Sequence, residues 1–194
     1  MLVYFKVGNF KSIKEPVVIN FNATSIREHQ DTNVIKIGED SFLRTVLLYG
    51  PNAGGKSNIL DALAFFRWSV INSATDKQSD EEINTEAFAL NTVTFDQPSY
   101  FEAEFIVDKT KYRYGFEADK EAVRKEWLME VKVTTDTPIF LRIGQEFQID
   151  NKKFKDGGGL GKRTRKNALF LSVAAQWNVQ KAEEINKWFK SIIT

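Results

Sequence analysis

This 194-residue chain contains the stretch Gly50-Pro51-Asn52-Ala53-Gly54-Gly55-Lys56-Ser57, which is its clearest indication of a fold class. The stretch consists of a glycine, four variable residues and then Gly-Lys-Ser, which is the phosphate-binding loop pattern. The apolar run at residues 45–49 predicts the buried strand that such a loop follows. After the loop, apolar side chains at helical spacing predict a helix over residues 58–73. They are Ile59, Leu63, Phe66 and Val70.

The residue types in the loop suit a bound triphosphate. Gly50 and Gly55, helped by Gly54, let the backbone wrap around phosphate oxygens with its N–H groups pointing inward. The N-terminus of the following helix adds partial positive charge. Lys56 supplies an ammonium for the outer phosphates, and the Ser57 hydroxyl suits a Mg²⁺ ion that keeps most of its waters. The alternative is a glycine-rich turn with a solvated lysine, but both flanks favour binding of ATP with Mg²⁺.

Composition narrows the class of protein. The chain is 42% hydrophobic, which supplies enough apolar side chains for the core of a single domain. Its net charge of +1 neither predicts nor excludes nucleic acid, and its lack of cysteine excludes a disulfide scaffold and thiolate metal sites. No apolar stretch has membrane-spanning length and no signal peptide is recognisable, so we expect a cytoplasmic protein without a membrane partner. No Asn-Lys-x-Asp motif for guanine occurs, which argues against GTP.

Patterns upstream and downstream of the loop predict a mixed α/β fold. Residues 2–7 and 17–21 predict a β-hairpin beside the nucleotide strand. The polar residues 24–40 predict a loop or short helix, and the histidine among them, His29, is expected to be a surface residue. Residues 76–86 predict an acidic surface connection.

Beyond the helix the hydrophobic period changes to two, which indicates strands. Residues 101–107 and 112–116 predict an antiparallel hairpin across a turn at residues 108–111. Further strands are predicted at residues 127–133, 139–143 and 147–149. This mainly antiparallel meander differs from the βα alternation of doubly wound P-loop proteins.

The strongest charge bias lies in residues 152–166, with seven lysines and arginines against Asp156. The glycine-rich centre, residues 157–161, predicts a flexible loop. A solvated loop is the favoured interpretation because charge runs are usually solvated, and contact with nucleic-acid phosphates is the alternative. Residues 167–194 predict a C-terminal helical segment. Its last helix has no stop signal, so we expect its apolar face to need a missing or partner surface.

Hydrolysis of ATP requires more than the loop. A carboxylate at the end of a second apolar strand must hold Mg²⁺ through water. Asp108 and Asp150 follow apolar runs, but a turn is the favoured interpretation of Asp108. Glu126, at a strand start, is expected to be solvated. The sequence therefore identifies no catalytic residue and predicts half of a catalytic site.

Three parts of the sequence together resemble a known family. They are Val7-Gly8-Asn9-Phe10-Lys11-Ser12-Ile13, the loop with the following Asn58-Ile59-Leu60, and Lys111-Tyr112-Arg113-Tyr114-Gly115-Phe116 with Glu126-Trp127-Leu128. They are similar to the N-terminal lobe of ABC/SMC-type ATPases. More narrowly, they resemble prokaryotic AAA-family ATPases grouped with overcoming-lysogenization-defect, abortive-infection and other phage-defence proteins. Gly54 departs from that family's loop, which more often has Ser or Ala.

The resemblance implies one ATP-binding lobe over residues 1–194, about half of a complete ATPase head. This P-loop NTPase lobe of ABC/SMC type would contain an N-terminal β-hairpin, a P-loop strand and helix, and a mainly antiparallel meander that ends in helices. It also implies nucleotide contacts from the hairpin and the loop, with Ser57 as the Mg²⁺ ligand. The contacting residues carried over are Lys11, Ser12, Asn52, Ala53, Gly54, Gly55, Lys56, Ser57 and Asn58.

Family members carry, after such a lobe, a Leu-Ser-x-Gly signature, a strand ending in Asp-Glu and a switch histidine. None occurs in these residues; Phe170-Leu171-Ser172-Val173 breaks the signature, and Gln176 is expected to be structural rather than magnesium-sensing. The resemblance therefore implies a missing C-terminal ATPase lobe as partner. It also implies a homodimer of heads that sandwich ATP head to tail, so we expect this chain alone to lack ATPase activity.

The implied function is an ATP-binding lobe in phage defence, which acts on nucleic acid or gates an effector such as a nuclease. A DNA-repair or recombination ATPase lobe of the same superfamily is one alternative. A non-hydrolysing interaction module that senses ATP is the other.

Overall fold

The computed structural model describes residues 1–26, 28–75, 78 and 80–192. The strands within them are β1 (Leu2–Gly8), β2 (Val17–Asn20), β3 (Val34–Ile37), β4 (Asp40–Leu43), β5 (Ser99–Val107), β6 (Thr110–Ala118), β7 (Val123–Glu130), β8 (Thr137–Ile143) and β9 (Glu146–Ile149). The α-helices are α1 (Gln30–Asn33), α2 (Lys56–Asn72), α3 (Thr92–Phe95), α4 (Phe170–Gln176) and α5 (Gln180–Ser191).

A seven-stranded sheet in the order β2-β1-β5-β6-β7-β8-β9 dominates the fold. Every neighbouring pair in it is antiparallel. The predicted meander and the mixed α/β class are therefore confirmed, but the strand predicted at residues 127–133 spans Val123–Glu130. The predicted N-terminal hairpin also forms, but β1 pairs with β5 rather than with a strand at residues 45–49.

Helices α2, α4 and α5 cover one face of the sheet, where their apolar side chains pack against alternate strand residues. Helix α4 is buried on all sides from Phe170 to Ala174. Phe66 of α2 is fully buried at the centre of this layer. Its ring centroid lies 5.5 Å from Phe5, 5.6 Å from Phe116 and 5.5 Å from Phe189 of α5. This packing fixes α2, and therefore the loop that precedes it, against the sheet.

The predicted buried strand at residues 45–49 is wrong in this structure. These residues form no strand. Leu47 is 82% exposed and Tyr49 is 94% exposed. A strand buried on both faces needs hydrogen-bonded neighbours and covering layers, and no described strand pairs with residues 45–49.

Residues 24–40 contain more structure than the predicted loop or short helix. The four-residue α1 is followed by the antiparallel pair β3–β4, which forms a separate two-stranded sheet. Phe42 of β4 is fully buried against Val3 and Ile106, on strands of the main sheet. Packing against the main sheet therefore stabilises β3 and β4. Their short sequences, within a largely polar stretch, did not predict strands.

The basic segment of residues 152–166 is packed rather than an open, solvated loop. Phe154 is fully buried, and Leu160 is 7% exposed. A side chain at Gly157 would place its Cβ 2.3 Å from the Phe154 ring, and one at Gly161 would meet Phe147 at 2.9 Å. The glycines therefore allow close packing, where the sequence predicted flexibility.

The last helix already has a covering surface. Ile185 and Phe189 of α5 are buried in the main core, and the Trp188 ring stacks on Phe105 with centroids 4.4 Å apart. The expectation of a missing partner for this face is therefore wrong for the described part of the helix. Residues 193 and 194, which that prediction included, lie outside the described residues.

The predicted acidic connection at residues 76–86 is described only in part, since residues 76, 77 and 79 lie outside the described residues. Ile83 and Thr85 are buried, so its second half is not purely a surface connection. Within the described parts of the chain, no helix combines the length and apolar character needed to cross a membrane.

Candidate nucleotide site

The phosphate-binding loop leads directly into α2, which begins at Lys56 and is close to the predicted helix. Gly55, its N-cap residue, has φ = 82°, a left-handed conformation that favours glycine. A Cβ at this position would also lie 3.2 Å from the Ser12 hydroxyl oxygen. The glycine therefore permits both the turn and the approach of the N-terminal segment.

The start of α2 is suited to an anion. The first backbone N–H groups of a helix have no partners within it, and they carry the positive end of the helix dipole. Gly55 supplies no side chain to accept hydrogen bonds from them. A phosphate oxygen can therefore accept hydrogen bonds that would otherwise go to water.

An open cavity of about 290 Å³ lies at this helix start. It is lined by Ser12, Ala53, Gly54, Gly55, Lys56, Ser57 and Asn58. Pockets for drug-sized ligands usually measure about 300–1,000 Å³, so this one suits a phosphate chain better than a whole nucleotide. A larger cavity of about 950 Å³ lies beside Gly38 and Lys111, but no helix begins there.

Lys56 lies folded over the loop. Its Nζ donates hydrogen bonds to the carbonyl oxygens of Gly50 and Pro51, at 2.9 Å and 2.7 Å. A phosphate of a bound nucleotide would replace one or both of these acceptors with a charged oxygen, and charge-assisted hydrogen bonds are stronger than neutral ones. The ammonium is thus already held at the cavity.

The N-terminal turn reaches the loop through Ser12. Asn58 Nδ2 donates to Ser12 Oγ at 2.5 Å. Phe10, two residues before Ser12, is 2% exposed, and its ring stacks on Phe65 of α2 with centroids 5.9 Å apart. Apolar packing therefore holds the turn against α2, and Ser12 is placed at the cavity as a result.

Two predicted contact residues do not line the cavity. Lys11 forms an ion pair with Asp61 of α2, with Nζ and Oδ2 2.7 Å apart. This pair links the N-terminal turn to α2 beside the cavity. Asn52 is exposed on the loop.

The protein ligands at the cavity suit Mg²⁺ only when a nucleotide supplies further oxygen ligands. Among the described residues, no group of three or more His, Cys, Asp or Glu could hold a metal ion. Mg²⁺ commonly uses one or two protein ligands, substrate phosphates and several waters. The exposed Ser57 hydroxyl at the cavity meets that requirement.

The carboxylates considered for hydrolysis have other surroundings. Asp108 and Lys109 form the two-residue turn between β5 and β6, with φ of 46° and 67°, as the sequence predicted. Asp150 accepts hydrogen bonds from the backbone N–H groups of Lys152 and Lys153 in a turn. Gln176 is exposed at the end of α4.

Glu126 was expected to be solvated, and the structure contradicts this. It is 1% exposed and accepts hydrogen bonds from the N–H groups of Phe170 and Leu171, at 2.7 Å and 2.9 Å. Tyr114 donates to it at 3.0 Å, and Arg142 Nη1 lies 3.4 Å away. Burial raises the pKa of the Glu126 carboxyl, although Arg142 and the two amides oppose the shift.

This carboxylate therefore holds the start of α4 against the sheet, so its role in the structure is to position a helix. Arg142, which pairs with Glu126 across β7 and β8, also donates to the carbonyl oxygen of Ala168 at 2.6 Å. The sequence shows both charges, but it does not show that the two residues pair. That depends on the strand register, which the turn between β7 and β8 sets.

Comparison with known proteins identifies one family. A family model described as "AAA domain, putative AbiEii toxin, Type IV TA system" matches residues 46–191. The match includes the loop, α2 and most of the antiparallel sheet, and it excludes the segment that carries Lys11 and Ser12. No curated protein matches the chain.

Proposed function

The chain belongs to the AAA-domain family that residues 46–191 match, and from that premise we propose that residues 50–57 bind ATP together with Mg²⁺. The observation that carries the proposal is the cavity at the start of α2, where Lys56, Ser57 and the first backbone amides of the helix meet. A triphosphate with bound Mg²⁺ suits all three: its oxygens accept hydrogen bonds from the ammonium and the amides, and its Mg²⁺ takes the hydroxyl as a ligand.

Each residue at the cavity would have a separate task. Lys56 would exchange its carbonyl acceptors for phosphate oxygens, and the first amides of α2 would donate to the same phosphates. Ser57 would ligate Mg²⁺. Ser12, held by Asn58, would approach the nucleotide from the side of the N-terminal turn.

At a finer level, we propose that this lobe belongs to an ABC/SMC-like ATPase head of the overcoming-lysogenization-defect or abortive-infection type. A second, C-terminal ATPase lobe would pair with residues 45–49 and supply the catalytic acid. The exposure of Leu47 and Tyr49 supports this arrangement, since burial of an apolar side chain contributes roughly 1.5–3 kcal/mol. Two such heads would sandwich ATP head to tail and gate an effector such as a nuclease in phage defence, in the cytoplasm.

A non-hydrolysing ATP sensor is the second candidate, and one observation favours it. No carboxylate of the described residues lines the cavity. Hydrolysis needs one to hold Mg²⁺ through water or to orient an attacking water molecule. Asp61 of α2 lies outside the lining and forms a partly exposed ion pair with Lys11.

Nucleotide binding with and without Mg²⁺ tests the proposal. We expect a fluorescent ATP analogue to bind in Mg²⁺, and Ser57→Ala to weaken only the Mg²⁺-dependent part of the affinity. Ser191→Ala, an exposed serine at the end of α5, is the matched control. Equal affinity of wild type and Ser57→Ala at every Mg²⁺ concentration would contradict the assignment of Ser57.

ATP turnover separates the finer alternatives. We expect negligible phosphate release by this chain alone. Turnover that begins when a separate ATPase lobe is added would support the composite head, whereas persistent binding without turnover would support the sensor. Robust turnover by the chain alone would show that a catalytic acid lies within it.

A further inference from the structure

The basic segment of residues 152–166 has no part in the nucleotide site and holds an uneven share of the charge. Its seven cations and one carboxylate give a net charge of +6, whereas the whole chain carries +1. The rest of the chain is therefore net −5. Such separation of charge gives one part of the surface a positive potential that the overall composition hides.

Packing of the segment determines which cations face solvent. Arg165 turns toward the protein and donates to the carbonyl oxygen of Ala74 at 3.0 Å, and Lys153 Nζ lies 3.7 Å from a Glu130 carboxylate oxygen. The remaining cations are exposed, and none of them forms an ion pair within the described chain. They are Lys152, Lys155, Lys162, Arg163 and Lys166.

One of the exposed cations lies on an aromatic ring. The Arg163 guanidinium carbon is 4.7 Å from the centroid of the Trp177 ring, and Trp177 is 53% exposed. Lys162 and Arg163 are the last two residues of a 3-10 helix at Gly161–Arg163, and Lys166 follows Arg163 by three residues. A flat π surface and several uncompensated cations are thus combined in one region.

We propose that Lys162, Arg163, Lys166 and Trp177, together the Trp177 surface, bind single-stranded nucleic acid without sequence preference. The indole and the guanidinium would stack on bases, while the lysines neutralise phosphates. A duplex hides the faces of its bases, so it would gain only the phosphate contacts. This inference does not rest on ATP binding, because its residues lie outside the nucleotide cavity.

Anisotropy of a fluorescein-labelled oligothymidine of about 16 nucleotides, without ATP, tests the stacking contact. We expect Trp177→Leu to weaken binding by about 5- to 150-fold, the range typical of one base–aromatic stack. Trp177→Tyr should retain most of the affinity but lose the part of the tryptophan fluorescence that the oligonucleotide quenches in wild type. Circular dichroism of both variants checks that they fold.

The salt dependence tests the phosphate contacts. Lys162→Gln with Lys166→Gln should lower the slope of log affinity against log salt by about 1.4, at about 0.7 for each phosphate contact on a single strand. The control pair, Lys36→Gln with Lys120→Gln, changes net charge equally at exposed lysines outside the segment. It should leave the slope and the affinity close to wild type.

Three results would overturn the proposal. One is equal weakening of oligothymidine binding by the Lys162/Lys166 pair and by the control pair, which would show that only the overall net charge matters. Another is unchanged oligothymidine affinity in folded Trp177→Leu. The third is binding of phosphatidylserine vesicles or duplex DNA in preference to the oligonucleotide. Lys56→Ala should leave oligothymidine binding intact, so this proposal and ATP binding can fail separately.

Discussion

Removal of the buried Glu126 carboxylate should destabilise the protein severely. Glu126→Leu would leave the N–H groups of Phe170 and Leu171 without acceptors and Arg142 without its counter-charge. Breaking a buried ion pair by removing one partner costs about 3–5 kcal/mol, and each orphaned N–H costs about 1–3 kcal/mol. Because these terms overlap, we expect a loss of about 3–5 kcal/mol in the free energy of unfolding.

The double variant distinguishes this network from an ordinary buried ion pair. Replacing both partners of such a pair with apolar residues is often neutral or stabilising. Arg142, however, also donates to the carbonyl oxygens of Gly144, Ala168 and Arg165. Glu126→Leu with Arg142→Met would orphan these backbone groups as well, so we expect no recovery toward wild type.

Urea denaturation followed by circular dichroism measures these free energies. Lys125→Gln, on the same strand as Glu126, is the control. It removes an exposed ion pair with Glu117 of β6 and should cost less than about 1 kcal/mol. A loss below about 1 kcal/mol in Glu126→Leu, or wild-type stability in the double variant, would refute the assignment of Glu126 as the residue that holds α4.

The remaining predictions concern packing, pH and the nucleotide site. Gly115→Ala would bring a Cβ 2.4 Å from the Trp127 ring and should cost at least about 1–3 kcal/mol in urea denaturation, whereas Gly159→Ala, with open space, should cost almost nothing. Burial would raise the pKa of Asp119, but its arginine partner and two amides lower it below its ordinary 3.8. The destabilisation by Asp119→Asn should therefore be full above pH 3.8 and vanish as pH falls through the lowered pKa; a pH-independent difference would contradict this. Ser12→Ala should weaken ATP binding by about 2- to 13-fold, the worth of one hydrogen bond, and unchanged affinity would remove it from the site.

Much of the fold could be predicted from the sequence, because its signals are local. Helix α2 and the strands β5 to β9 follow from apolar spacing of 3.6 and 2 residues, and the turn at Asp108 from a residue type that tolerates positive φ. Of the loop residues predicted to contact the nucleotide, Ala53 to Ser57 line the cavity and Asn52 does not. These features need only a few neighbouring residues to be specified.

The errors occur where distant contacts decide the outcome. The apolar run of residues 45–49 predicted burial, but burial depends on strands that must pair with it. Gly157 suggested flexibility, yet the adjacent Phe154 ring fills the space where a side chain would lie. Glu126 appeared solvated because nothing near it in sequence reveals the helix start that it holds.

Calorimetric titration of Mg²⁺-ATP into wild type and Lys56→Ala is the direct test of ATP binding at residues 50–57. Lys36→Ala serves as a control at an exposed lysine outside the cavity, and circular dichroism checks that each variant folds. We expect one ATP bound per wild-type and per control chain, and no detectable binding by Lys56→Ala. The same affinity in Lys56→Ala as in wild type would contradict this expectation.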